Sequence, residues 1–197
     1  MNRVAFAILM ALVALGLVAC GSDRGDEPST PATSRTAVQA GEGSLLIANL
    51  NAITERDLAS GAETVLLSLP EPSAFVLDPS ASPDGTRIAY VKQPPPKVED
   101  GKFDAGSDLW VMNRDGSSPR AVFVHVQPNQ LVRFPRWEDD TNILAIVQEI
   151  STEDGITRVV YTLERIHAES GEREKLLEDV LAFDVSPTQG THATILG

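Results

Sequence analysis

The chain has 197 residues, 42% of them hydrophobic and 22% charged, with a formal net charge of −12 at pH 7. An acidic surface repels phosphate backbones and no basic cluster offsets it, which disfavours nucleic acid as a partner. One cysteine in 197 residues leaves no disulfide to staple an exported body.

Arg3 is the only charge before residue 23, and residues 4–19 are apolar or glycine. That run is shorter than the ~20 residues a membrane-spanning helix needs. A basic start, a short apolar core and small residues before a break predict a secretory signal over residues 1–19. The break, Leu17-Val18-Ala19-Cys20, resembles the bacterial lipobox. The resemblance implies diacylglycerol on the Cys20 thiol, cleavage before Cys20 and acylation of the new N-terminus. Several acyl chains at ~0.8 kcal/mol per buried methylene hold a protein stably on a bilayer. An exported, lipid-anchored protein follows, on the cell membrane or outer membrane and facing the periplasm or exterior. Gly21, in place of aspartate, resembles the outer-membrane sorting pattern.

Removing the leader removes its one positive charge and leaves −13. Residues 20–43 then form a spacer rich in Ser, Thr, Pro, Gly and charge, with almost no large apolar residue. Such a segment cannot bury enough surface to offset its ordering entropy. As a coil it spans on the order of 25–30 Å. Its Arg24-Gly25-Asp26 triplet resembles an integrin ligand, a pattern short enough to arise by chance.

From Leu45 onward short apolar runs alternate with turns. They predict strands at 45–49, 53–58, 63–68, 74–78, 86–92, 108–113, 120–126, 131–136, 142–149, 156–166, 173–177, 180–185 and 191–196. The best helical candidate, 169–178, reads better as a hairpin turn at Ser170-Gly171. Two strands, Ile88-Ala89-Tyr90-Val91 and Ile143-Leu144-Ala145-Ile146-Val147, are apolar on both faces and need cover on both. Stacked sheets supply that cover, as do the radially packed blades of a β-propeller. SPDGTRIAYV at 82, WEDDTNILAIV at 137 and SPTQGTHATIL at 186 align at offsets of 55 and 49 residues, near the ~40–50 of a blade. Each follows a short apolar strand. Asp115-Gly116 then makes a hairpin signal in the first unit. Ser82, Pro83, Asp84 and Gly85 form the preceding turn: Pro83 sets the entry angle and Gly85 supplies a backbone angle that other residues resist.

"SPDGTRIAYV…DLWVMNRDGSSPRAV" resembles the PD40 (WD40-like) repeat of TolB-type propellers. The second unit keeps the length but has Trp137-Glu138-Asp139-Asp140 where that repeat has Ser-Pro-Asp-Gly. The resemblance covers residues 44–197. It implies an all-β fold: a partial β-propeller of about three four-stranded antiparallel blades. Residues 44–68 supply outer strands, two full repeats follow, and 180–197 supply inner strands. Trp110 is expected between blades. An open end would expose strand edges and apolar blade faces, a pairing hazard. Residues 92–107, with Pro94, Pro95 and Pro96, read as an exposed loop at the rim.

Little chemistry is visible. His125, His167 and His192 lack paired metal spacing. There is no nucleophile elbow and no phosphate-binding loop. Asp100, Asp104 and Asp108 flank glycines at a spacing unlike a calcium loop, and Glu138, Asp139 and Asp140 read as a solvated turn. No catalytic residue, metal or cofactor is expected. The reading is a lipid-anchored, non-catalytic binding or scaffold module with a protein or peptide partner. The alternative is the propeller fragment of a prolyl-oligopeptidase-type serine peptidase lacking its hydrolase domain, since PD40 propellers also gate such enzymes. A solute-binding lipoprotein would carry alternating helices, which the pattern lacks.

Overall fold

The computed structural model describes residues 43–70, 74–99 and 101–186. The leader expected at 1–19, with Leu17, Val18 and Ala19, then Cys20, most of the expected spacer and the strand expected at 191–196 lie outside the described residues. Within them there is no helix. Thirteen strands run β1 Ser44–Asn49, β2 Ala52–Asp57, β3 Glu63–Ser68, β4 Phe75–Ala81, β5 Arg87–Gln93, β6 Lys97–Glu99, β7 Lys102–Asp104, β8 Asp108–Asn113, β9 Arg120–Phe123, β10 Leu131–Trp137, β11 Asn142–Glu153, β12 Ile156–His167 and β13 Arg173–Glu178.

They form three antiparallel meanders, β1-β2-β3, β4-β5-β8-β9 and β10-β11-β12-β13, plus a two-stranded ribbon β6-β7. The meanders stack face to face as consecutive blades of a partial β-propeller. Ile88 and Tyr90 of β5 pack backwards on Ile53 and the Leu46, Leu66 and Leu67 side chains of the first sheet. Their neighbours Ala89 and Val91 pack forwards with Ile143, Ala145 and Val147 of the third. A strand rises with successive side chains on opposite faces, so β5 must be apolar throughout to lie between two sheets. Strand β11 repeats the arrangement: Leu144 and Ile146 turn to the far side, where Val180, Phe183 and Val185 cover them.

Pairing registers make the blades equivalent. The second-to-third strand ladders begin at Ser44↔Asp57, Arg87↔Asn113 and Asn142↔His167. Each is closed by a hairpin in which the Asp57, Asn113 or His167 carbonyl accepts from Gly61, Gly116 or Gly171. The first sheet therefore holds the second, third and outermost strands of a blade, and its innermost strand is not among the described residues.

Several expected boundaries move. The 120–126 strand ends at Phe123, because Val124–Val126 turn away toward Pro128. Residues 180–185 form only isolated bridges at Ala182 and Val185. The 74–78 strand continues to Ala81 through a bulge at Asp78-Pro79, and Phe134-Pro135 bulges the corresponding strand. Asp78 and Phe134 both take positive φ (51° and 54°). Within the 92–107 segment, expected as a loop, residues 97–104 pair as the ribbon β6-β7 with Val98 opposite Phe103.

Candidate functional site

One rim of the stack carries the turns joining first and second strands, together with the hairpins joining third and fourth. In the SPDG turn Asp84 is the organiser. Its carboxylate accepts from the Ser82 hydroxyl, the Thr86 amide (3.0 Å) and the Thr86 hydroxyl (2.8 Å). These donors, Ser82 foremost, hold its pKa down to about 2. Ser82 is buried, and its hydroxyl also receives the Arg87 amide at 3.0 Å. Gly85 closes the turn at φ 70°. Pro83 lines the neighbouring cleft.

The acidic turn of the next blade is not simply solvated. Asp139 accepts from the Thr141 amide and hydroxyl and the Asn142 amide, as Asp84 does from Thr86. Partial burial pushes its pKa up, but the Asn142 and Thr141 donors outweigh it and bring it to about 2. The Glu138 carboxylate is buried against Arg165, with one contact of 2.8 Å. Asp140 reaches across the blade boundary and accepts the Asp84 amide at 2.9 Å. Arg87 joins the same boundary. It donates to the Asp140 carbonyl and to Glu169 (2.9 Å), and its guanidinium lies 5.0 Å from the Trp137 ring centroid. The Trp137 indole N–H donates to the Ser80 carbonyl at 3.0 Å. In the hairpins, Asp115 accepts the Ser117 amide at 2.9 Å, and Gly116 takes φ 83°.

Beside these turns opens a cleft of about 540 Å³, lined by Ser80, Pro83, Arg136, Trp137, the 138–140 turn and Val185. Its carboxylates at 139 and 140 are occupied by backbone and side-chain donors. Arg136, which donates to the Pro135 carbonyl at 3.0 Å, supplies a cation to the lining. Such a cleft can hold a polar segment by charge and shape.

The opposite rim holds His125, between Asp108 (Nδ1 to Oδ1, 2.6 Å) and Asp104 (Nε2 to Oδ2, 3.3 Å). Burial lowers its pKa, but hydrogen bonding and attraction to Asp108, then Asp104, outweigh this and raise it. With both ring nitrogens engaged by carboxylates, the imidazole clamps the ribbon to the blade. Asp104 also accepts the Gly106 and Asn129 amides. Of the three aspartates singled out in this loop, two converge on a histidine rather than on a cation position, and Asp100 lies outside the described residues. Among the described residues no group of three or more His, Cys, Asp or Glu side chains is placed to hold a metal ion.

Trp110 lies between the first and second blades, stacked on Tyr90 (centroids 6.5 Å apart) with Lys92 over its ring at 4.6 Å. The Asp140 bridge and the His125 clamp escape sequence reasoning, because their partners are 56 and up to 21 residues distant. The one available signal was the shared Asp-x-Thr of Asp84-Gly85-Thr86 and Asp139-Asp140-Thr141.

No protein-family profile matches the chain, and no curated protein matches it. Solved structures do. A structure assigned to TolB of Agrobacterium tumefaciens is 18% identical with a TM-score of 0.46, over 68% of this chain and 45% of that one. Porphyromonas gingivalis dipeptidyl peptidase 4 is 11% identical with a TM-score of 0.48, over 73% of this chain and 25% of that one. An oligogalacturonate lyase in complex with manganese is 12% identical with a TM-score of 0.34, over 74% and 53%. The chain thus spans less than two thirds of each.

Proposed function

We propose that this is an exported envelope protein, lipid-anchored through Cys20, whose partial propeller binds a protein or peptide without turnover. The observation that carries the reading is the order of parts: Leu17-Val18-Ala19-Cys20, then a spacer poor in large apolar residues, then stacked sheets. A spacer of this composition, on the order of 25–30 Å as a coil, would leave the folded body free to meet soluble partners. Loops displayed by a rigid scaffold are where binding residues concentrate. The PD40 resemblance of residues 82–122 supports the same class.

Labelling cells with palmitate tests the anchor. The wild-type chain incorporates label and fractionates with membranes, and Cys20→Ala abolishes both. Undiminished labelling of that variant refutes the anchor. For the binding role, a photo-crosslinker placed at Arg136 is expected to give discrete envelope adducts that the same group at Lys102 does not give. Identical adduct patterns would sink the assignment of the cleft.

A further inference from the structure

Arg136 stands at a position where the blade architecture does not demand an arginine. It pairs with Leu144 in the third sheet, and the equivalent position of the second sheet, opposite Ala89, is Ser80. Both residues follow a bulge proline, and both line the cleft of about 540 Å³. Nη1 of Arg136 donates to the Pro135 carbonyl at 3.0 Å, which uses one of the five donors a guanidinium carries. The other four have no acceptor among the described residues.

That is unusual in this chain. Seven of the described arginines each hold a carboxylate. Arg158, exposed on β12, and the half-buried Arg136 do not. Acid is not scarce beside Arg136, since Glu138, Asp139 and Asp140 follow it directly after Trp137. Each of the three is turned elsewhere. Glu138 holds Arg165, Asp139 accepts from Thr141 and Asn142, and Asp140 accepts the Asp84 amide across the blade boundary. The turn thus satisfies its own carboxylates and leaves the adjacent guanidinium open to a ligand.

We propose that Arg136 anchors a carboxylate of the bound peptide. The inference rests on the reading of the cleft as the partner-binding site and adds the chemistry of its ligand. A planar guanidinium takes a carboxylate through two parallel N–H···O bonds, a fixed geometry that an ammonium cannot reproduce. Pro83 and Val185 on the cleft wall offer apolar surface to a neighbouring side chain of the same peptide. A net charge of −12 opposes a strongly acidic partner, so the carboxylate belongs to a segment otherwise neutral or basic. An Asp or Glu side chain and a chain terminus present the same group.

Panning the full chain in detergent against a random peptide library displayed with free C-termini tests this. The enriched peptides are expected to share a carboxylate. Converting it to the corresponding amide, in the side chain or at the terminus, weakens binding about tenfold or more, and the position at which this happens identifies its source. Arg136→Gln weakens binding by a similar factor. The two changes combined cost little more than either alone, as a direct pair requires. Arg136→Lys keeps the charge without the fork and restores only part of the affinity. Arg136 bonds only to backbone, so these variants keep the wild-type circular dichroism. A photo-crosslinker at Pro83, which leaves Arg136 in place, reports whether the peptides sit in the cleft. Peptides that crosslink there yet tolerate loss of the carboxylate, or lose affinity additively with Arg136→Gln, overturn the anchor and leave the cleft as a binding site. Peptides that do not crosslink at Pro83, or a library with no enriched member, overturn the cleft and the anchor together.

Discussion

Gly116 sits so close to Leu66 that a Cβ built on it would lie 1.8 Å from the Leu66 carbonyl oxygen, and Gly171 bears the same relation to Val122 at 2.6 Å. The second and third blades are each keyed to the outer strand of the one before through a bare hairpin glycine. Positive φ costs a substituted residue roughly 1–2 kcal/mol, and forcing atoms into a packed site adds about 1–3 kcal/mol. Gly61 (φ 72°) bears only the first cost. Gly116→Ala and Gly171→Ala are therefore expected to lower stability in urea by clearly more than Gly61→Ala does. Equal losses at all three positions would mean that the carbonyl contacts are not made.

The two turn aspartates set an acid limit. Their carboxyls ionise near pH 2 in the fold against an ordinary 3.8. A carboxyl whose folded pKa is depressed stabilises the fold fully above its unfolded value, and that contribution is lost as pH falls toward the folded one. Stability should thus decline from about pH 4 to pH 2, and Asp84→Asn/Asp139→Asn should flatten that decline while lowering the plateau at neutral pH. Urea midpoints measured from pH 2.5 to pH 6 provide the check, and an unaltered slope in the double variant counts against the turn geometry.

Much of the stack was legible because its demands are local. A strand apolar on both faces, such as Ile88 to Val91, has to be sandwiched, and Ser82 to Gly85 is a turn on its own chemistry. The bulges were not legible. Pro79 reads as the end of the 74–78 strand, since proline cannot donate to a ladder, while the 131–136 strand was expected to run through Pro135 without a break. Both in fact sit where the register slips, at bulges whose preceding residue takes positive φ. The Asp78 carboxylate then accepts the amide of Phe134 at 3.1 Å and Arg133 Nε at 2.8 Å, tying one bulge to the next across the blade boundary. The ribbon β6-β7 was hidden for a different reason. Three prolines mask its start, and its anchor at His125 is distant in the chain.

Trp110 carries an unusual cost. Its indole N–H is buried with no hydrogen-bond acceptor among the described residues, and an unsatisfied buried donor costs roughly 1–3 kcal/mol. Trp110→Phe removes that penalty, keeps an aromatic face for Tyr90 and Lys92, and gives up part of the buried ring. The two effects oppose, so the substitution is expected to change stability by less than about 1 kcal/mol. Trp110→Ala, which opens a cavity, should cost about 3–5 kcal/mol. Thermal and urea unfolding distinguish them. A loss on Trp110→Phe as large as on Trp110→Ala would show that the indole nitrogen is partnered.

The His125 clamp predicts the opposite pH limit. The groups facing the ring are Asp108 on β8 and Asp104 on β7, and Gly106 leaves room for it, since a Cβ there would lie 2.3 Å from the imidazole. Its pKa is raised above 6.5 in the fold. A histidine with a raised folded pKa contributes stability that is fully present below the unfolded value and is lost as pH rises through the folded one. The ribbon Lys97–Asp104 should therefore stay docked at pH 6 and loosen as pH climbs toward 9. Hydrogen exchange of the 97–106 amides, corrected for intrinsic rates, should show protection falling over that range, with the β5 and β11 amides unaffected. His125→Gln keeps a hydrogen bond without the charge, and should remove the pH dependence and leave the ribbon loosely held throughout. Gly106→Ala displaces the ring and should give the same phenotype by a steric route. Protection that stays constant from pH 6 to pH 9 in the wild type would mean that the ribbon is held by its other contacts, the Asn129 amide bond to Asp104 and the Ser107 bonds to Val132.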